Sequence, residues 1–448
     1  MPPEGLSGIS PWAALQSTQA ATVGAVGKPI SGTVTVPGSK SVTNRALILA
    51  AAADGVSRLS GILRSDDSYW CLDALRRLGL TVDVDGTDVT VQGLGGRFPR
   101  AGGDLFIGSA GTIARFLPGV LAAAPEGAWR VTASDQLAGR PVAPLFTALQ
   151  RLGARISTPI RAGGYPADIA GGGFAGGAVE MSGALSSQFI SGVLIAAPLA
   201  QAPVTVTVPD EIVQADYVRI TLDTMAAFGA TASVEEGFHR FDITPTGYRA
   251  RDYRVEADAS TTTYFMALAA VTGGTITIDN IGVDTYQPDI RFADILEQMG
   301  AAVVRRADSI TVTGPDRLKG GFTVSMKPLS DATLTLAAIA PFADGPITAT
   351  DVAHIRKHES DRIAVAVENL TQLGLRAEEH PDGLTIHPGA PVFAELDTHD
   401  DHRVAMSFAL TGLAGAGVRL REPACVSKTC PVFFNMLTDL GVPVTLTH

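Results

Sequence analysis

The sequence predicts an α/β protein of two similar domains, each built from three copies of one strand–helix unit. Three observations predict it. At 448 residues the chain is too long for one ordinary hydrophobic core. Six near-identical phrases close an amphipathic helix with a glycine: Leu75-Arg76-Arg77-Leu78-Gly79, Leu149-Gln150-Arg151-Leu152-Gly153, Met225-Ala226-Ala227-Phe228-Gly229, Leu296-Glu297-Gln298-Met299-Gly300, Leu370-Thr371-Gln372-Leu373-Gly374 and Leu437-Thr438-Asp439-Leu440-Gly441. Their glycines are 74, 76, 71, 74 and 67 residues apart. Alternating residues such as Thr81-Val82-Asp83-Val84 or Ala302-Val303-Val304 then follow, which is strand chemistry.

Glycine accepts the left-handed backbone that ends a helix, so one such phrase marks only a helix end. Six at nearly constant spacing imply a duplicated unit of about 70 residues, roughly strand-helix-strand-helix-strand and longer than a solenoid repeat. Three units per domain place the apolar helices inside and the sheets around them.

Composition narrows the function. A hydrophobic share of 46% and a charged share of 18% fit a soluble globular chain. With 34 basic against 45 acidic residues the net charge is −11, which argues against nucleic acid as partner. Cys71, Cys425 and Cys430 form no C-x-x-C pair, so neither a disulfide framework nor a zinc site is indicated and a cytoplasmic location is expected. No apolar run reaches membrane-spanning length. Residues 1–27 lack a basic residue before their small apolar stretch, a poor secretory signal; a disordered or loosely attached tail is expected.

Against this acidic background, seven basic residues sit in small-residue or turn-rich motifs: Lys40, Arg45, Arg115, Arg140, Arg362, Arg403 and Lys428. Pro37-Gly38-Ser39-Lys40-Ser41-Val42-Thr43-Asn44-Arg45 follows a β-like run over 33–36 and opens an apolar helix over 46–52. Backbone N–H groups, the helix dipole and charged donors there make a site for phosphate or carboxylate. Ser109-Ala110-Gly111-Thr112 precedes a helix starting near Thr112. It reads either as a ligand-cradling turn or as a tight turn with Arg115 on a solvated face. Arg140 stands at a helix start beside Pro141, a poor place for a cation without an anion. Ser186, Ser187 and Gln188 enter an apolar helix over 189–196; capping explains one of them. Lys428, between Ser427 and Thr429, again precedes a helix.

Two carboxylates carry the candidate proton chemistry. Asp331 begins an apolar helix and by itself reads as an N-cap. Glu359 lies in His354-Ile355-Arg356-Lys357-His358-Glu359-Ser360-Asp361-Arg362, which is either a solvated helix start or a cationic frame around a proton donor. His399-Asp400-Asp401-His402-Arg403 offers metal-ligand types, but the spacing fits no common zinc site and an adjacent Arg repels a cation; no metal is expected. Gly38-Ser39-Lys40-Ser41 lacks the glycine directly before lysine that a nucleotide P-loop needs, and neither a G-x-S-x-G elbow nor a dinucleotide fingerprint occurs.

Taken in order, these phrases resemble the 5-enolpyruvylshikimate-3-phosphate synthase family of enolpyruvyl transferases. Pro37 to Ser41 with Thr43-Asn44-Arg45, Ala110-Gly111-Thr112 with Arg115, Arg140-Pro141 and Ser186-Ser187-Gln188-Phe189 carry the resemblance. So do Asp258-Ala259-Ser260, Asp289-Ile290-Arg291-Phe292-Ala293-Asp294, Glu359-Ser360-Asp361-Arg362, Asp401-His402-Arg403 and Lys428-Thr429. They span the chain from about residue 28 to its end. The resemblance implies a tail over 1–27, an N-terminal domain over 38–257 and a C-terminal domain of 28–37 plus 258–448. Hinges are expected near 37–40 and 257–258. It implies transfer of the enolpyruvyl group of phosphoenolpyruvate to the 5-hydroxyl of shikimate 3-phosphate, with release of phosphate, on the route to aromatic amino acids. The expected partners are these two small molecules alone, with no nucleic acid, membrane or cofactor, and a monomer is expected.

By the same resemblance Lys40, Ser41, Arg45, Ser186, Ser187, Gln188, Tyr217, Asp331 and His358 bind shikimate 3-phosphate. Lys40, Gly111, Arg140, Gln188, Arg362, Arg403 and Lys428 bind phosphoenolpyruvate. Asp331 is the expected base at the hydroxyl and Glu359 the acid at C3, with Lys40 sharing proton traffic and steadying the departing phosphate. Two ligands with a phosphate and a carboxylate each explain so many cations: at about 4 Å and an effective dielectric near about 20, each repulsion is about 4 kcal/mol. Family domain closure excludes water.

Several positions depart from the family's commoner pattern. Ser109 stands where Asn is frequent, His354 for Asn, His358 for Lys and Gln214 for Ser. A neutral His358 lowers the local positive charge above about pH 6.5 and predicts a steeper pH dependence than a lysine. Gly111 suggests sensitivity to glyphosate, with Phe116 at a common Pro position bearing on its degree. Two rivals stand beside this reading. One is the enolpyruvyl transferase that uses UDP-N-acetylglucosamine, whose loop cysteine has no counterpart except Cys71, which reads as a buried helical thiol. The other is a noncatalytic binding protein, against which Lys40, Asp331 and Glu359 are all present.

Overall fold

The computed structural model describes residues 8–448. The six helix-ending glycines take the left-handed conformation their position requires, at φ 89°, 100°, 84°, 98°, 74° and 85° for Gly79, Gly153, Gly229, Gly300, Gly374 and Gly441. The first five are each followed by a strand hairpin and Gly441 by the single strand Val444–Thr447, so the repeat seen in the sequence is a structural repeat.

Among the described residues the strands form six sheets of one topology. Gly102–Phe106 runs parallel to Ala128–Thr132, which pairs antiparallel with Ala167–Ala170, itself antiparallel to Arg155–Ser157. The helix Ile113–Ala123 makes the crossover between the parallel pair, as such a connection demands. The same order recurs for Phe322–Ser325, Ile347–Thr350, Gly383–Ile386 and Ala377–His380, and in the other four sheets.

The chain divides into two units, one comprising Met1–Trp12 and Gly38–Glu256, the other Ala13–Pro37 and Ala257–His448. Each holds three of the sheets. Within the first, Lys40–Ala52, Ile113–Ala123 and Ser187–Ala196 carry their polar residues mainly in their first turns and are buried along most of their length. A Cβ on Gly119 would fall 2.5 Å from Ala196 Cβ, so the last two helices cross where one of them has no side chain. In the second, Ala259–Thr272, Thr333–Ile339 and His402–Leu413 play the same part. Two of their buried hydroxyls are satisfied locally: Thr262 Oγ1 donates to Asp258 O at 3.0 Å and Thr263 Oγ1 to Ser260 O at 2.7 Å.

The expected tail over 1–27 is corrected for the residues described; its first seven lie outside them. Ala20–Val23 is an internal strand, antiparallel to both Val418–Arg421 and Val444–Thr447. In the other five sheets this third place is filled by the second strand of the repeat's own hairpin. In the last it is filled from the opposite end of the sequence, which is why no local pattern revealed it. The second unit therefore begins at Ala13 rather than 28, and its later part at Ala257 rather than 258. The strand before Lys40 is Gly32–Val34, and the helix begins at Lys40 rather than near 46, capped by Ser39 Oγ accepting from Val42 N at 3.4 Å.

Candidate active site

In the first unit the expected ligands converge on the starts of buried helices. Lys40 opens its helix with Nζ 4.0 Å from Asp67 Oδ2. One turn later Arg45 is buried to 1% exposure, donating to Thr221 Oγ1 at 2.7 Å, Ser41 O at 2.9 Å and Tyr217 O at 3.0 Å, with its guanidinium 4.9 Å from the Phe116 ring. None of these three bonds goes to a carboxylate. Burial accordingly lowers the Arg45 pKa to about 10, opposed by Tyr217 and Tyr253. Of its five N–H donors three are used here, which suits an anionic ligand nearby. Thr221 Oγ1 donates on to Ser191 Oγ at 2.8 Å, tying in the helix that Ser186 caps and Ser187 and Gln188 begin.

The second element is the turn before Ile113–Ala123. Arg115 is not on a solvated face. It is buried, donating to Gly111 O at 2.9 Å and Pro141 O at 2.7 Å, so it fastens the Gly111 turn to the segment that carries Arg140. A Cβ on Gly111 would fall 2.9 Å from Arg140 Nη1, which puts the Arg140 guanidinium directly over the glycine. Asn44 Nδ2 donates to Thr112 Oγ1 at 2.6 Å and joins this turn to the Lys40 helix.

In the second unit four acids and three cations interlock around Arg362. That residue is 1% exposed and donates to Asp401 Oδ2 at 2.8 Å, Asp331 Oδ1 at 2.9 Å and Glu359 Oε2 at 2.9 Å. Burial alone would lower its pKa, but Asp401, Glu359 and Asp331 outweigh that and raise it. Arg403 Nη2 donates to Asp331 Oδ2 at 2.9 Å, and Lys428 Nζ stands 3.2 Å from Glu359 Oε1. Glu359 thus lies between two cations with its side chain only 7% exposed, which removes the solvated-helix reading. The N-cap reading of Asp331 is also corrected. It sits in the turn Lys327–Ala332, and the helix Thr333–Ile339 has no side-chain cap. The fourth acid, Asp289, accepts from Ser260 Oγ at 2.7 Å beside Arg403. No group of three or more metal-ligating side chains is arranged for a metal among the described residues.

The family model for EPSP synthase (3-phosphoshikimate 1-carboxyvinyltransferase) matches residues 25–437. The chain belongs to the EPSP synthase family. It is 49% identical over 437 residues to 3-phosphoshikimate 1-carboxyvinyltransferase 2 of Halalkalibacterium halodurans, covering 97% of both chains. The corresponding enzyme of Nostoc punctiforme is 39% identical over 414 residues, covering 92% of this chain and 96% of that one. The solved EPSP synthase of Acinetobacter baumannii superposes with a TM-score of 0.81 at 26% identity, covering 96% of this chain and all of the other. This EPSP synthase family member transfers the enolpyruvyl group of phosphoenolpyruvate to shikimate 3-phosphate, a step of the shikimate pathway.

Two positions that depart from the family's commoner residues, His358 and His354, are built into the cluster. His358 Nδ1 lies 3.2 Å from Arg362 Nη1 and 3.8 Å from Asp331 Oδ1. His354 Nε2 lies 2.8 Å from Ser330 Oγ, and burial lowers its pKa, opposed by Asp331 and assisted by Lys327 and Arg362. Ser109 Oγ meets Ser134 Oγ at 2.6 Å, a contact within the fold rather than toward a ligand. The sequence reading gave no role to Asp401, which accepts from Arg362, Ser360 Oγ and Arg403 N and so orients the guanidinium. Its one signal was an acid directly before a helix beginning with His402 and Arg403.

Asp289 supplies a pH-dependent term. Burial raises its pKa from 3.8 to about 6, Asp331 adds to this, and Arg403 and Ser260 oppose it. A raised acid favours the folded state while protonated, so its stabilising share is complete below pH 3.8 and lost as pH rises through about 6. Asp289→Asn should therefore gain in melting temperature relative to the parent between pH 4 and pH 7. A difference that stays constant across that range would contradict the assignment.

Proposed function

We propose that Glu359 and Asp331 carry the proton transfers of the enolpyruvyl transfer. The observation that supports this most is Glu359 held at 2.9 Å by Arg362 and 3.2 Å by Lys428. A substrate carboxylate or phosphate drawn to those same cations competes for their hydrogen bonds, leaving the Glu359 oxygens to hold and deliver a proton to C3. Asp331, fixed by Arg362 and Arg403, takes the proton of the 5-hydroxyl as it attacks C2. The tetrahedral adduct then returns one C3 proton to Glu359 as the bond from C2 to the phosphate oxygen breaks, which restores the C2–C3 double bond and releases phosphate, with Lys40 steadying its charge.

In this reading shikimate 3-phosphate is bound by Lys40, Ser41, Arg45, Ser186, Ser187, Gln188, Tyr217, Asp331 and His358. Phosphoenolpyruvate is bound by Lys40, Gly111, Arg140, Gln188, Arg362, Arg403 and Lys428. The protein works as a monomer in the cytoplasm without a cofactor, and sedimentation of the purified chain tests the first part. Within the described residues no helix is long and apolar enough to cross a membrane.

Phosphate release from purified protein given both substrates, with each alone as control, tests the reaction. Release supported only by UDP-N-acetylglucosamine in place of shikimate 3-phosphate would replace the acceptor; silence with either would favour a binding protein. Gly111→Ala tests the pocket at one methyl group. The new Cβ must push the Arg140 guanidinium aside, which a flexible side chain allows without unfolding. The KM for phosphoenolpyruvate should rise about tenfold and inhibition by glyphosate weaken in parallel, with the KM for shikimate 3-phosphate nearly unchanged. An unaltered KM for phosphoenolpyruvate would remove Arg140 from that pocket.

A further inference from the structure

The family match begins at residue 25, yet residues 8–12 are tightly built into the first unit. Gly8 O accepts from Trp70 Nε1 at 2.7 Å. Gly8 also lies against the turn before Gly111: a Cβ added there would overlap Ser109 Oγ and stand 2.7 Å from Ser109 Cβ and 2.9 Å from its backbone nitrogen. Trp70 covers the neighbouring Gly108, whose own Cβ would overlap the indole ring, and packs edge-on against Phe106 with centroids 4.8 Å apart. Two residues on, the fully buried Ser10 donates its N–H to Asp66 Oδ1 at 2.9 Å. Its hydroxyl accepts from Trp12 N at 3.1 Å. Trp12 meets the Tyr69 ring edge-on at 5.4 Å, under the Arg64 guanidinium at 4.6 Å.

Two paths lead from this segment to the proposed ligands. Ser109 Oγ contacts Ser134 Oγ, which caps the short helix Asp135–Ala138 just before Arg140. Asp66 begins the helix Asp66–Arg77, and its neighbour Asp67 is the partner of Lys40. We propose that residues 8–12 are a positioning strap, holding the turn 108–111 and with it the Arg140 side of the phosphoenolpyruvate pocket. The strap rests on the assignment of Gly111 and Arg140 to phosphoenolpyruvate made above.

Two full-length variants test it: Gly8→Ala, which wedges a methyl group against Ser109, and replacement of residues 8–12 by Gly-Ser-Gly-Ser-Gly, which keeps the chain length. Circular dichroism checks that each folds. In both, the KM for phosphoenolpyruvate should rise about fivefold or more while that for shikimate 3-phosphate stays within about twofold. Amide hydrogen exchange over 107–112 should quicken without a matching change in the buried helix Lys40–Ala52. A purely structural clamp would shift both KM values together or neither, and either result overturns the strap. If the parent protein itself releases no phosphate, the substrate assignment fails instead, and unchanged exchange over 107–112 would overturn the strap on its own.

Discussion

Glu359→Gln is expected to lower kcat by about 10²–10⁴-fold, the range lost when a positioned proton donor is removed. Glutamine keeps the shape and can still accept from Arg362 and Lys428, but it has no proton to give to C3. The KM for phosphoenolpyruvate should stay level or fall, because one negative charge leaves the neighbourhood of two cations proposed to hold that substrate. In deuterated water the parent should place deuterium on the enolpyruvyl methylene through the reversible adduct, and the variant should lose that incorporation by the same factor as kcat. A variant within tenfold of the parent, or one that still exchanges normally, would move the acid role to another group.

Arg362→Met is expected to destabilise the fold by about 3–5 kcal/mol, the usual cost of removing one member from a buried ion cluster. Arg362 is the shared partner of Asp331, Glu359 and Asp401, and its loss leaves three acids facing one another with little water to screen them. Arg403 and Lys428 still touch Asp331 and Glu359, so the chain should fold, but at a lower melting temperature and without measurable turnover. Arg362→Lys is a sharper probe. An ammonium restores the charge but not the planar fork that reaches three carboxylates in different directions, so it should recover less than about half of the lost stability. Urea titration of the three proteins measures this. Full recovery by lysine would mean that charge alone, and not the geometry of the fork, holds the cluster.

Much of the architecture was legible because its signals are local. A helix that ends in a left-handed residue needs glycine at that residue, so Gly79, Gly153, Gly229, Gly300, Gly374 and Gly441 announce themselves wherever the chain goes afterwards. The hydroxyls and cations at helix starts were likewise visible as a set. Roles within the set were not. Arg115 and Arg140 look alike in sequence, yet one spends its donors on two backbone carbonyls while the other lies over Gly111. Asp331 looks like an N-cap until Arg362 and Arg403, 31 and 72 positions later, arrive at its two oxygens.

The sequence by itself determined the repeated unit, the two-domain plan, the family and the residue types of the site, since each depends on spacing or on a motif within a few positions. Only the tertiary structure decided which acid shares which guanidinium, and where residues 8–12 and Ala20–Val23 belong. The strand Ala20–Val23 is stabilised by backbone hydrogen bonds to Val418–Arg421 and Val444–Thr447, roughly 400 residues away in the chain. Four small and β-branched residues carry no mark of such partners, because a ladder is made by the backbone, and the backbone of every residue is the same.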